Sequence, residues 1–414
     1  MDRHRLVPKY STWHKKTTGV VEVKPIPDVR NAGEQSSTVS MDVLLPDDIL
    51  ERIIGCLPIA SVYRAGSTCK RWRDMVKSRR FVWNMTNNIY RKPWYYMFTH
   101  NELPSGFTYD PILRKWYGGI DLPCIESRSW IVAPSRGLVC FMDNDSRSKI
   151  FVCNPITKRW KGLGEPPGIR NSYYSSLAMS VTIGDSSHHT HGCYCVALAE
   201  SKQVPDDFLQ WDFSVHVYDS NLGSWFTHVN QLLHGWRGGN ESVICNGVLY
   251  CLIYSTGGGS VLGNMELRHG LIMYQLNTHG TCLLSTAIPA PCPLTCGRLM
   301  NLKDRLILVG GISKHACRDI IKGIGIWVLD DLEWRDVSRM PHKFFQGFGE
   351  LDDVFASGGM DGIIYIQSYG SPALLTFDMD QSLWKWSHKC PVPKKFPLQL
   401  FSGFCFEPRL DVSP

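Results

Sequence analysis

One pattern recurs five times between residues 109 and 384: an apolar or aromatic residue, then Asp or Asn, then a bulky apolar residue six positions further on. The units are Tyr109-Asp110 to Trp116, Cys153-Asn154 to Trp160, Tyr218-Asp219 to Trp225, Leu276-Asn277 to Leu283, and Phe377-Asp378 to Trp384. A sixth, Leu329-Asp330 to Trp334, has the offset shortened to four. Asp or Asn opens a turn by bonding its own backbone. The Trp then falls on the returning strand, where it packs across onto a neighbouring sheet. The anchors at 110, 154, 219, 277, 330 and 378 are 44, 65, 58, 53 and 48 residues apart. That is one repeat of about 50 residues each, with insertions in the longest.

Each unit has a hairpin upstream, such as Trp130 to Asp143, Ser242 to Tyr254, Arg298 to Gly311 and Asp353 to Gln367. Each reads as a strand, a tight polar turn and a strand. Two hairpins make a four-stranded antiparallel sheet, one blade of a β-propeller, and six anchors predict six blades. The strand-like tail from Leu398 to Pro408 follows the last unit and would pair into the first blade, closing the ring and removing its free edge. The paired glycines Gly257-Gly258-Gly259, Gly310-Gly311 and Gly358-Gly359 lack the Lys-Ser/Thr and helix of a phosphate loop. They are expected at hairpin ends, supplying positive φ.

Ahead of the repeats the pattern is helical. Residues 1–39 have no apolar period and read as a disordered tail. Pro46 suits a first helical position and Asp47 and Asp48 its first turn. Ile49, Leu50, Ile53, Ile54 and Leu57 then form one wide apolar face. Pro58 ends that helix. A second runs from about Ile59 to Ala65, and a third places Cys69, Trp72 and Val76 on one side. Three helices this short cannot bury all of these side chains, so the remainder is either a partner surface or the core of a helical N-terminal domain.

Lys and Arg exceed Asp and Glu by 44 to 38, a mild excess for 414 residues with no long basic stripe, which argues against nucleic acid. The densest basic run, Lys70, Arg71, Arg73, Lys77, Arg79 and Arg80, reads as a solvated helix face. No apolar run approaches the ~18 residues of a membrane span, and no signal peptide is visible. Fifteen cysteines, an odd count, mostly in apolar strands, fit reduced thiols in the nucleus or cytoplasm. His188, His189, His191, Cys193 and Cys195 offer metal-ligand chemistry but read as a polar loop insertion. No Gly-x-Ser-x-Gly elbow is present. No metal, cofactor or catalytic residue is expected.

Residues 44–76 resemble an F-box, on Leu45-Pro46, Ile49, Leu50, Ile53, Leu57-Pro58 and the closing Cys69-Lys70-x-Trp72. The chain from about Met41 onward is similar to plant F-box/kelch-repeat proteins. The resemblance implies a mainly β fold: a six-bladed kelch-type β-propeller (92–410) preceded by a small three-helix F-box domain (40–88). It also implies a role as substrate-recognition subunit of an SCF (Skp–cullin–F-box) ubiquitin ligase. Leu45, Pro46, Ile49, Leu50, Ile53 and Leu57 would face the Skp-type adaptor or support the face that does. Cys69 and Trp72 would pack the third helix. The adaptor would lead to a cullin/RING core, and the propeller would hold an unknown protein substrate. A kelch module that sequesters partners without degrading them is the alternative. Propellers bind through loops on one face, which nominates Trp236, Arg237, Arg268, His269, Phe344, Phe345 and Tyr369 as anchors, or as blade-packing residues.

Overall fold

The computed structural model describes residues 45–414 apart from 85–91, 100–105, 119–121, 123–129, 145–146, 148, 169–172, 183–192, 258–259, 263–264, 277–286, 315–316, 347–353, 359–361, 369–371 and 393–400. Six four-stranded antiparallel sheets make up the bulk of it. Their inner strands, in ring order, are Phe401–Phe406, Trp130–Ser135, Tyr174–Thr182, Trp236–Cys245, Leu294–Leu302 and Val354–Gly358. They define blades 1 to 6. In blades 2 to 6 the chain runs outward strand by strand. Blade 1 is closed by the C-terminus: Phe401–Phe406 lies inside Trp94–Thr99, with Tyr95 opposite Cys405. The six inner strands enclose an axial cavity of about 1030 Å³. No described helix is long and apolar enough to cross a membrane.

The repeat does what its chemistry predicts. Asp110 Oδ1 accepts from the amides of Ile112 and Leu113, Asn154 Oδ1 from Ile156 and Thr157, and Asp378 Oδ1 from Asp380 and Gln381, all at 2.8–3.1 Å. Asp219 Oδ1 accepts from Asn221 at 2.7 Å. Four residues after each anchor the chain turns left-handed, at Arg114, Lys158, Gly223 and Ser382. The residue before the anchor then pairs with the Trp: Tyr109 with Trp116, Cys153 with Trp160, Tyr218 with Trp225, Phe377 with Trp384. The short unit has a different turn. Asp331 and Leu332 both take positive φ, a two-residue hairpin that brings Trp334 opposite Leu329. The unit at Asn277 and Leu283 lies outside the described residues.

Most of these indoles bridge blades. Trp116 Nε1 donates to His388 O, Trp225 to Leu163 O, Trp334 to Pro289 O and Trp384 to Ser338 Oγ, at 2.6–3.0 Å, each reaching the preceding blade. Trp160 departs from the pattern: it is 55% exposed. Trp225→Phe is therefore expected to lower stability by about 1 kcal/mol through the lost bond. Trp160→Phe should stay within ~0.5 kcal/mol, both read by denaturant unfolding.

The paired glycines differ from expectation. Gly310 and Gly311 lie inside a strand and Gly358 ends one, all without positive φ. A Cβ on Gly310 would sit 2.9 Å from Leu294 Cδ2, on Gly311 2.5 Å from Thr295 Oγ1, and on Gly358 2.8 Å from Met300 Sδ. They leave room for the inner-strand side chains. Positive φ is used instead in the inner hairpin turns, at Arg136-Gly137, Asn246-Gly247 and Lys303-Asp304.

The N-terminal module has four helices where three were expected: α1 (Asp47–Gly55), α2 (Ile59–Thr68), α3 (Lys70–Lys77) and α4 (Arg79–Asn84). Cys69 caps α3, its Sγ accepting from Trp72 N at 3.5 Å. The extra helix begins where Ser78 Oγ accepts from Phe81 N at 3.1 Å, and it buries Phe81 completely. Glu51 of α1 fixes α4 through Arg80 Nη2 and Asn84 Nδ2, both at 2.8 Å.

Candidate functional site

Four antiparallel strands per blade put the start of every inner strand on one side of the disc, the loop face. The inner hairpin turns and the Asp/Asn turns lie on the other, the turn face. The helical module docks on the turn face. One hydrophobic cluster joins Leu50, Ile54, Ile59, Val62, Ala65 and Phe81 to Trp94, Val139, Cys153, Phe404 and Phe406 of blades 1 and 2. Tyr63 Oη approaches Ile156 O at 3.4 Å and Arg64 Nη2 approaches Tyr117 Oη at 3.5 Å.

This docking splits the apolar face of α1. Leu50 and Ile54 are 1% exposed and belong to the cluster. Ile49 and Ile53, one residue earlier in each turn, are 39% and 48% exposed. They are four apart on one helical edge, so they form a continuous apolar strip. Exposed Arg52 and Cys56 extend the same outward-facing side of the helix. Leu45, Leu57, Cys69 and Trp72 are half-buried, and Pro46 is exposed. Of the residues named from the sequence, Leu50 is sealed inside, so its part is to support the helix. Ile49 and Ile53 stay outside that core, on the exposed side of the helix.

On the loop face, the first residues of the inner strand of blade 4 start a row across the sheet: Arg237 pairs with Tyr254, and Tyr254 with His269. Trp236 and Arg237 were expected just ahead of this strand but open it. The guanidinium of Arg237 lies 3.7 Å from the ring centre of Tyr174 and 4.8 Å from that of Tyr254. The rings of Tyr254 and His269 are 4.5 Å apart. Tyr174 and Tyr254 line the axial cavity together with Glu241 and Arg298, which pair at 3.3 Å. Arg268 adjoins His269 and is half-buried. Phe344 and Phe345 stand apart, on the short helix α5 (His342–Phe345) between blades 5 and 6. Both are half-buried against the core those blades share, and Phe344 meets Trp386 at 6.1 Å. They pack blades. Tyr369 lies outside the described residues.

Residues 43–84 match the F-box domain family, and residues 122–276 match the family described as "F-box protein At3g26010-like, beta-propeller". The chain is 57% identical over 401 residues to an Arabidopsis thaliana F-box/kelch-repeat protein (At3g61590), covering 94% of this chain and 96% of that protein. It belongs to the F-box/kelch-repeat family. More distant relatives from Arabidopsis thaliana include SKP1-interacting partner 15, 23% identical across 89% of this chain and 98% of that protein. The protein UNUSUAL FLORAL ORGANS is 24% identical across 84% and 78%.

The F-box is thus α1 to α4, and the kelch-type propeller presents its loop face away from it. The described cysteines are free thiols, and burial pushes those of Cys195, Cys245 and Cys390 up to about 11, 12 and 12. Protonated thiols of this kind are small core hydrophobes, not nucleophiles. His188, His189 and His191 lie outside the described residues. Among the described residues no cluster of His, Cys, Asp and Glu has a metal-binding arrangement.

His269 is 4% exposed, and neither ring nitrogen has a hydrogen-bond partner among the described residues. Burial, then the charges of Arg268 and Arg237, hold its pKa down at about 4, against 6.5 for a free side chain. The folded chain keeps the ring neutral while the unfolded chain protonates it. Stability present above pH 6.5 should therefore fall as pH drops from 6.5 to 4, by about 3 kcal/mol in full. His269→Gln should flatten that part of the pH–stability curve, measured by urea unfolding at successive pH values.

Sequence reasoning missed the residues that flank this row. Tyr173 and Phe208 are 61% and 79% exposed on the loop face, and Leu209 is exposed beside Gly257, where its Cδ2 occupies the place of a Cβ. The signal was available: Pro205-Asp206-Asp207 is turn chemistry, and Phe208-Leu209 directly after it is too apolar for an idle loop.

Proposed function

We propose that this chain is the substrate-recognition subunit of an SCF-type ubiquitin ligase. The outer edge of α1 docks a Skp-type adaptor, and the loop face of the propeller holds the protein to be ubiquitinated. The observation that carries this reading is the exposure of Ile49 and Ile53 on a helix whose opposite side is fully buried in the chain's own core. An apolar strip left open on an otherwise well-packed module calls for a partner. Membership of the F-box family, and a relative named for interacting with SKP1, support a Skp-type adaptor as that partner.

On this reading the chain performs no bond chemistry. It raises the effective concentration of substrate lysines near a charged conjugating enzyme brought by the cullin/RING core. The continuous core between F-box and blades 1 and 2 supports that role, since it holds adaptor and substrate at a fixed separation. Its reduced thiols suit the cytoplasm or nucleus.

The test is reconstitution of the full chain with adaptor, cullin and RING subunits. Proteins captured by the propeller should be ubiquitinated, and their half-lives in cells should lengthen when Ile49→Asp and Ile53→Asp are combined. Captured proteins whose turnover is unaffected by that pair would favour a sequestering module instead.

A further inference from the structure

The loop-face row in blade 4 contains a positive charge without a counter-charge. Among the described residues Arg237 gives one hydrogen bond, from Nη1 to Gly238 O at 3.2 Å, and makes no ion pair. Its guanidinium already lies over the rings of Tyr174 and Tyr254, so little rotamer freedom is lost when its remaining N–H groups engage a ligand. The neighbouring Arg298 is already matched by Glu241.

A further polar group lies behind Tyr254. His269 is nine-tenths buried, and both of its nitrogens are unsatisfied among the described residues. Buried polar atoms are nearly always partnered in a finished structure. The His269 ring is sealed from solvent, so the group that an outside ligand can reach is the Arg237 guanidinium, whose missing partner accepts hydrogen bonds.

Around them is apolar surface. Trp211 packs against Tyr173 and Tyr174 at 6.2 and 5.7 Å, its Nε1 reaches Phe208 O at 3.4 Å, and Tyr173, Phe208 and Leu209 are exposed. The loop carrying Leu209 is tied to blade 4 by the bond from Gly235 N to Leu209 O at 2.8 Å. Aromatic and Arg side chains on a rigid support are the usual anchors of a protein interface.

We infer that the loop face between blades 3 and 4 recognises an acidic peptide segment, one Asp or Glu carboxylate seating on Arg237 and an adjacent apolar side chain on Tyr173, Phe208 and Leu209. The inference rests on the substrate-receptor reading and names the substrate class. A carboxylate is favoured over a phosphate because Arg237 is a single cation, so the second negative charge of a phosphate would go unmatched and be opposed by Glu241 nearby.

The test selects peptides on the full chain bound to a Skp-type adaptor. The library displays heptapeptides with a central Glu, Gln or phosphoserine, flanked by random residues. Selected sequences should place Leu, Ile or Phe beside Glu. A selected Glu peptide should bind at least tenfold more tightly than its Gln counterpart by fluorescence anisotropy. Arg237→Gln should erase that preference while adaptor co-purification and melting temperature stay unchanged. Arg237→Lys, which keeps the charge but loses the planar fork, should retain only part of it. A purely structural Arg237 would alter melting and leave the Glu-to-Gln ratio intact. Equal binding of Glu and Gln peptides by the unmodified chain would overturn the inference, as would a preference that survives Arg237→Gln or a library dominated by phosphoserine. Because adaptor binding is scored in the same preparation, its loss would instead count against the F-box reading.

Discussion

Ile49→Asp is expected to strip a Skp-type adaptor from the purified chain and leave the fold intact, whereas Leu50→Asp, one residue on, is expected to unfold the helical module. Ile49 and Ile53 face outward from α1, while Leu50 and Ile54 are buried against the propeller-side core. An apolar interface anchor costs ~2 kcal/mol or more when removed, and Asp adds a charge that docking must desolvate. Each outer substitution should weaken the complex at least about 30-fold, and the pair about 1000-fold. The melting temperature should hardly move, since half-exposed positions cost about 1 kcal/mol or less. At Leu50 the loss of a buried side chain, ~2–5 kcal/mol, is compounded by a buried charge. Pull-down, titration calorimetry and thermal melts on the same preparations separate the two effects. Undiminished adaptor binding by the Ile49/Ile53 pair would remove the docking surface proposed here.

That contrast also marks how far the sequence could be read. The run from Ile49 to Leu57 announced an amphipathic helix, but Ile49, Leu50, Ile53 and Ile54 are chemically alike. A stripe shared between two neighbours cannot be divided by periodicity. The division was made by Trp94, Phe404 and Phe406, which are 40 and more than 340 residues away. The blades were legible because local turn chemistry repeats: Asp110, Asn154, Asp219 and Asp378 cap their own turns, whatever lies around them. In blade 3, Tyr174–Thr182 and Cys193–Gln203 were harder to see, since Ser, Ala and charged residues dilute their alternation. The paired glycines could be located but not interpreted. Composition cannot distinguish a glycine needed for positive φ from one that yields space to Leu294 or Met300. The loop-face row was half visible. Trp236, Arg237, Arg268 and His269 could be nominated individually, but the strand register that aligns Arg237, Tyr254 and His269 is a long-range property.

Removal of residues 401–414 should have the largest effect on the fold itself. These residues supply the innermost strand of the first blade, so their loss opens the ring. Phe401, Phe404, Cys405 and Phe406 are all buried, and Phe404 stacks on Tyr96 and meets Phe141 edge-on. Deleting even one buried Phe costs about 3–5 kcal/mol, and total stabilities are ~5–15 kcal/mol, so three together exceed what the domain has to lose. The strand Trp94–Thr99 would also be left with an unpaired hydrophobic edge, which invites aggregation. The F-box should fail with the propeller, because Phe404 and Phe406 sit in the cluster that contains Leu50 and Ile54. A shorter truncation, removing only residues 409–414, tests the seal without opening the ring. It frees Asn154 Nδ2 from the carbonyls of Arg409 and Val412, at 2.9 and 2.8 Å, and exposes the site of buried Val412. That variant should remain folded, with stability lower by about 3 kcal/mol, while the longer truncation should yield no cooperative melt and no adaptor binding. A cooperative transition after loss of the whole closing strand would mean that the ring does not depend on its C-terminal clasp.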